Sequence, residues 1–176
     1  MPPNGHMPQL VKAIAVSKPS REYWLEEELL DALIAGDESV RVERTKFPGV
    51  LLVLSERLNA HKVSSLASKM EFSFMSRLVP ASRVLKGPGK GEVFSVILEL
   101  LGGAPRAPLR VIVTVRGHGK RVVSPEEVSS QVSSLGFTVS RRAGRALAVE
   151  SVDDLFIIAY GITRVCGLNC TLLYVD

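Results

Sequence analysis

The chain has 176 residues, 46% of them hydrophobic, with a mean hydropathy of +0.20. That is enough apolar chain for a packed core without covalent staples, and it excludes a disordered polyelectrolyte. No apolar run approaches the roughly 20 residues a membrane helix needs, and Met1 to Pro8 has no apolar run behind a basic cluster. Residues 1–8 are therefore expected to be a disordered terminus, not a signal peptide, and the protein to be cytoplasmic with no membrane partner.

Net charge is +4, with an isoelectric point near 9.3. Residues 1–76 hold nine Lys/Arg against ten Asp/Glu, a net of −1, whereas 77–145 hold twelve against four, a net of +8. A neutral half joined to a basic one is the footprint of one module that meets a polyanion and another that supports it.

Leu10 to Val16 reads as a short apolar strand. Ser20 is placed to cap a helix that carries Trp24, Leu25, Leu29, Leu33 and Ile34 on one face and stops at Gly36-Asp37. Val40 to Arg44 alternates as a half-exposed strand, Pro48-Gly49 turns, and Val50 to Leu54 is apolar on both faces. Asn59 caps a second helix with Val63, Leu66, Ala67 and Met70 on its apolar face, and Phe72 to Val79 returns as a strand. The order β-α-β-β-α-β is the ferredoxin-like one. It decides fold and not function.

Lys86 to Gly91 reads as a flexible loop between two halves. It is rich in Gly and Lys, but Lys90 is followed by Gly91 where a phosphate-binding loop needs Ser or Thr, so the linker reading is preferred. Beyond it come an apolar helix over Val93 to Leu101, a β-branched strand Leu109 to Arg116, and the turn Gly117-His118-Gly119-Lys120-Arg121. Ser124, Pro125 and Glu127 supply the N-cap, the first helical proline and the capping-box acid of a helix that buries Val128, Val132 and Leu135. Strands over Ala146 to Val149, Leu155 to Ile162 and Thr171 to Val175 follow the basic turn at 141–145.

A catalytic centre is not expected. His118 has no nucleophile and carboxylate in a recognisable arrangement. Glu126-Glu127 begins a helix, where the dipole favours acids, Asp153-Asp154 reads as a turn, and Glu26-Glu27-Glu28 as a solvated helix face. Cys166 and Cys170 lack two further zinc ligands, so no metal or other cofactor is expected. Two small apolar core residues are favoured over a disulfide. The candidate binding residues are the cations Arg77, Arg83, Lys86, Lys90, Arg116, Lys120, Arg121, Arg141, Arg142 and Arg145, together with His118. They suit phosphate oxygens, and the glycines beside Arg116 would let a backbone approach closely. The aromatics Phe94, Phe137, Phe156, Tyr160 and Tyr174 mostly fall at apolar-periodic positions, which argues for backbone and shape recognition over base stacking.

The second half resembles the THUMP domain, an RNA-binding module of tRNA-modifying proteins. The resemblance rests on order: Arg77-Leu78-Val79-Pro80, the helix 92–101, the strand ending Val113-Thr114-Val115-Arg116-Gly117-His118, the Ser124-Pro125-Glu126-Glu127 helix to Leu135-Gly136-Phe137, and two closing strands. It implies an α/β (α+β) chain, with a ferredoxin-like domain at 9–75 before a THUMP domain at 76–176. It also implies tRNA binding through the acceptor end. With no room for a catalytic domain, the chain is similar to adaptors that present tRNA to a separate modification enzyme, such as the acetyltransferase that makes N4-acetylcytidine. The alternative is a small phosphoryl or acyl hydrolase that uses Arg or His118, or an RNA-binding subunit of another tRNA-modifying complex.

Overall fold

The computed structural model describes residues 8–176. The expected disordered terminus lies outside the described residues except at Pro8, which opens the 3-10 turn Pro8–Leu10. The first unit follows as β1 (Val11–Ser17), α1 (Glu22–Leu33), β2 (Arg41–Arg44), β3 (Val50–Leu54), α2 (Ala60–Ala67) and β4 (Met75–Pro80). β1 pairs antiparallel with both β3 and β4, and β2 flanks β3, giving the order β2-β3-β1-β4. This is the ferredoxin-like topology expected from the element order. Leu25, Leu29 and Leu33 of α1 share a core with Val63 and Leu66 of α2 over Ala13 and Ala15, whose small side chains let the helices sit close to β1.

Two local expectations change in α1. Ser20 does not cap it: its φ is +58, and Arg21 takes the N-cap place with no side-chain hydrogen bond. Trp24 and Ile34 are each 51% exposed because Leu25, Leu29 and Leu33 already form the buried stripe. Asn59 does cap α2, its Oδ1 accepting from the Lys62 N–H at 2.8 Å. Of the acidic run, Glu28 accepts from the Ser73 and Phe74 N–H groups and Glu26 pairs with Arg44, so these two are engaged rather than merely solvated.

The second unit comprises β5 (Arg83–Lys86), α3 (Lys90–Leu101), β6 (Leu109–Thr114), a 3-10 turn Gly117–Arg121, α4 (Pro125–Ser134), β7 (Arg145–Val152), β8 (Leu155–Gly167) and β9 (Cys170–Tyr174). β5, paired antiparallel with β8, is a strand no local pattern announces; it takes Lys86 from the start of the expected loop, and Lys90 opens α3 instead of belonging to that loop. Ser124 caps α4, its Oγ accepting from the Glu127 N–H at 3.1 Å. β4 also pairs in parallel with β9, so both units share one mixed sheet of order β2-β3-β1-β4-β9-β8-β7-β6, with β5 on β8. The boundary expected between residues 75 and 76 falls at the start of β4, which has β1 on one side and β9 on the other.

All four helices cover one face of this sheet. The other face buries itself: Ile14 and Leu52 of the first unit share a core with Ala146, Ala148 and Ile157 of the second. The sheet is therefore curled, and small residues on β7 let its two halves approach. Across the far end Lys46 and Asp153 form an ion pair of 2.6 Å between the β2–β3 and β7–β8 turns.

Cys166 and Cys170 are joined by a disulfide, with Cα atoms 5.0 Å apart, where free core thiols were expected. Both are buried as expected. Gly167 at φ +145 and Asn169 at φ +53 turn the β8–β9 hairpin tightly enough to bring the two together. The closed loop is short, so its loss should cost about 2 kcal/mol on the chain-entropy estimate. Thermal melts of Cys166→Ser/Cys170→Ser, or of the wild type with reductant, are expected to show a small downward shift and not unfolding.

Asp37, buried after α1, accepts hydrogen bonds from the Ser55 hydroxyl and from the Ser39 hydroxyl and N–H. These bonds, that of Ser55 foremost, hold its carboxyl far below the ordinary value of 3.8. The stabilisation is complete above that unfolded value and is lost as the pH falls through the lower folded one. Denaturant titrations are expected to show stability falling with acid below pH 3.8, with a flatter dependence in Asp37→Asn.

Candidate nucleic-acid interface

The eleven candidate residues divide by what they touch. Arg77 projects from β4 onto the curled face of the sheet and meets Glu150 of β7, with Nε and Nη2 at 2.8 and 2.6 Å from Oε1. Arg116, beyond β6, donates from Nη1 to the other oxygen at 2.9 Å. Glu150 is fully buried, and the Arg116 side chain is 14% exposed. Arg77 Nη2 also donates to Thr114 Oγ1 at 3.3 Å, and Arg116 Nη1 to the Ser151 carbonyl at 3.3 Å. A carboxylate taken out of water needs this many donors, because burying an unpaired charge costs several kcal/mol. Arg77 ties the first unit to the second, Arg116 ties the turn after β6 to β7, and both are largely withdrawn from any ligand.

The glycines of Arg116-Gly117-His118-Gly119 serve packing as well. A Cβ on Gly117, which has φ +62, would lie 2.0 Å from Asp153 Oδ1, and one on Gly119 would lie 2.0 Å from Ser151 Oγ. The turn is thus pressed onto the β7–β8 turn, with the Arg116 N–H donating to Ser151 Oγ at 2.8 Å. Here the close approach is to the protein itself, where a ligand was expected.

Four more candidates are engaged at the surface. Arg83 pairs with Glu99, Lys90 with Glu127, Lys86 with Asp154 at 2.7 Å, and Arg145 with Asp176 at 3.7 Å. Lys90 holds the Glu127 carboxyl below its ordinary value, and Lys46 does the same for Asp153. Such exposed pairs contribute about 0–1 kcal/mol and are exchangeable for another anion.

The remaining five are exposed: His118, Lys120 and Arg121 on the 3-10 turn, and Arg141 and Arg142 on the turn before β7. Among the described residues no carboxylate pairs with the Lys120, Arg121, Arg141 or Arg142 side chains, while the His118 backbone N–H donates to Asp153. β6 and β7 run parallel, Leu109 opposite Arg145 and Thr114 opposite Glu150, so the two basic turns lie at opposite ends of the β6 edge. The structure therefore divides the expected surface into two clusters about 20 Å apart, the length of a six-residue strand. Arg110 lines a groove of about 530 Å³ with Arg141, along β6 between the clusters. It was missed as a candidate because it reads as one polar position in an alternating strand, and nothing in the sequence marks β6 as an edge. Among the described residues no group of three His, Cys, Asp or Glu side chains could hold a metal ion.

No family model matches the sequence, and no curated protein matches it significantly. Solved structures do match the fold. PH1313 from Pyrococcus horikoshii aligns at 12% identity and a TM-score of 0.56, over 90% of this chain and 56% of its own. A 4-thiouridine synthetase, solved as an RNA complex with bound ATP, aligns at 13% and 0.51, over 89% and 42%. TrmN from Thermus thermophilus aligns at 16% and 0.53, over 84% and 44%. The chain thus spans about half the length of these proteins. The likeness establishes the α/β fold expected from the THUMP resemblance.

Removing Glu150 should be far more damaging than removing any surface pair. Glu150→Ala leaves Arg77 and Arg116 without their shared counter-ion, and a loss of about 3–5 kcal/mol is expected. Lys86→Ala should cost under about 1 kcal/mol. Urea unfolding of the two variants compares them directly.

Proposed function

We propose that this chain is a non-catalytic tRNA-binding protein that presents tRNA to a separate modification enzyme. The observation that carries the reading is the pair of exposed clusters, Lys120/Arg121 and Arg141/Arg142, with no carboxylate paired to them among the described residues, at the two ends of the β6 edge. The fold likeness to a 4-thiouridine synthetase solved with RNA supports it. A polyanion that spans both clusters gains contacts at each, and every phosphate neutralised releases counter-ions. The acceptor end of tRNA is the proposed contact, and an acetyltransferase making N4-acetylcytidine is the enzyme we favour as partner.

Filter binding over a salt series is the test. Wild-type affinity for tRNA should fall steeply with salt. Lys120→Glu/Arg121→Glu and Arg141→Glu/Arg142→Glu should each weaken binding and reduce the log–log salt slope by about 2. Affinity no higher than for an acidic polypeptide, or variants that bind as the wild type does, would sink the reading. For the adaptor role, modified cytidine is expected only when chain, acetyltransferase and tRNA are combined.

A further inference from the structure

On the helix-covered side of the sheet, in the strip between the helix pair α1/α2 and the pair α3/α4, Tyr160 and Ile162 of β8 and Tyr174 of β9 are half-buried and Arg164 of β8 is exposed. Tyr160, Ile162 and Arg164 of β8 point to this side, and register places Tyr174 of β9 opposite Ile162 and Arg145 of β7 on its other flank. The Arg164 guanidinium lies 3.9 Å from the Tyr174 ring centroid, and that of Arg145 lies 5.6 Å from Tyr160. His61, at the start of α2, meets Tyr174 edge-on at 5.9 Å between centroids.

Two hollows flank the strip. A cleft of about 860 Å³ is lined by Tyr160, His61, Lys12 and Arg83, at the gap where the β8 edge passes from β5 to β9. A second hollow of about 550 Å³ is lined by Ile162, Arg142 and Arg145. Lys12 is half-buried and has no side-chain partner among the described residues. The Arg145–Asp176 pair at the edge is long and exposed, so it yields readily to a phosphate.

We propose that this strip is a single-stranded RNA site, in which two unpaired bases stack on Tyr174 and Tyr160 while Arg164, Arg145 and Lys12 meet the flanking phosphates. An open sheet face with aromatic rings on neighbouring strands, rimmed by cations, is the arrangement that holds unpaired nucleotides. Diagonal neighbours across two antiparallel strands lie about 7–8 Å apart, so each ring takes its own base. The adjacency of Arg142 joins the strip to one basic turn. The site rests on the tRNA reading and supplies what the exposed clusters lack, a surface for base faces.

The test uses a five-nucleotide single-stranded RNA with 2-aminopurine at its centre, a blunt RNA duplex of equal charge, and whole tRNA. Wild type should bind the pentamer in preference to the duplex and change the 2-aminopurine emission. Tyr174→Ala should weaken pentamer binding about 5- to 150-fold, the range for losing one stacked base, whereas Tyr174→Phe should keep it. Arg164→Gln, at an exposed position, should weaken it with an unchanged melting temperature, which covers the case in which Tyr174→Ala fails to fold. Pentamer affinity indifferent to Tyr174→Ala and Arg164→Gln overturns the site, as does emission that stays unchanged on binding. If tRNA binds and the pentamer does not, the strip is wrong and the tRNA reading stands. If neither binds, both fall.

Discussion

A single buried carboxylate sets the geometry on which the rest of the molecule depends. Glu150 sits with no solvent contact on the curled face of the sheet and takes its donors from both sides, Arg77 from the first unit and Arg116 from the segment beyond β6. Arg77 lies on β4 and Glu150 on β7, three strands apart in the order of the sheet, so Arg77 can reach Glu150 only because the sheet bends back on itself. The charge cannot be left uncompensated in that setting, which makes the bend and the ion triad mutually dependent. The glycine turn after Arg116 then has a fixed seat over Ser151 and Asp153. His118, Lys120 and Arg121 are held outward on a short 3-10 turn whose base is immobilised.

This arrangement reinterprets the charge of the basic half. A net of +8 over residues 77–145 suggests a broad cationic face. Glu150, Asp154 and Asp176 lie outside that window in sequence but return to it in space, where they occupy Arg77, Arg116, Lys86 and Arg145. Glu99 and Glu127 occupy Arg83 and Lys90 from within the window. Within that window, what is left for an external polyanion is the two turns with Arg110 and Arg106, the last lying over the Phe137 ring.

The element order was legible because local signals agree with the tertiary result. Asn59 and Ser124 cap the helices they precede, and Val50 to Leu54 is buried on both faces as its composition demands. The failures share a cause: each depends on a neighbour distant in sequence. β5 has no strand pattern of its own and exists because β8 offers an edge. The disulfide depends on two left-handed residues in a hairpin tip. Arg77 and Arg116 looked like ligand-facing cations because their shared partner is a lone Glu in an otherwise apolar strand. Tyr160 and Tyr174 fall at apolar-periodic positions and are half-buried, Tyr160 against the core of the second unit, and no local pattern encodes the side of each ring that stays accessible.

The placement of the free cations also constrains the kind of anion the protein can favour. A mononucleotide or a single phosphate can engage one turn, but it cannot bridge the length of β6. Each cluster alone offers two or three exposed cations without a built pocket, and contacts of that kind are weak and fully screened beyond about 8–10 Å at physiological salt. Affinity therefore has to come from simultaneous engagement, in which binding at one turn raises the effective concentration of phosphate at the other. A stiff polyanion with regularly spaced charges meets that demand at low entropic cost. A flexible acidic peptide must be ordered across the same span, at a cost of about 1–2 kcal/mol for each residue fixed. The groove along β6, with Arg110 and Arg141 on its wall, is the path such a rod would take between the two ends.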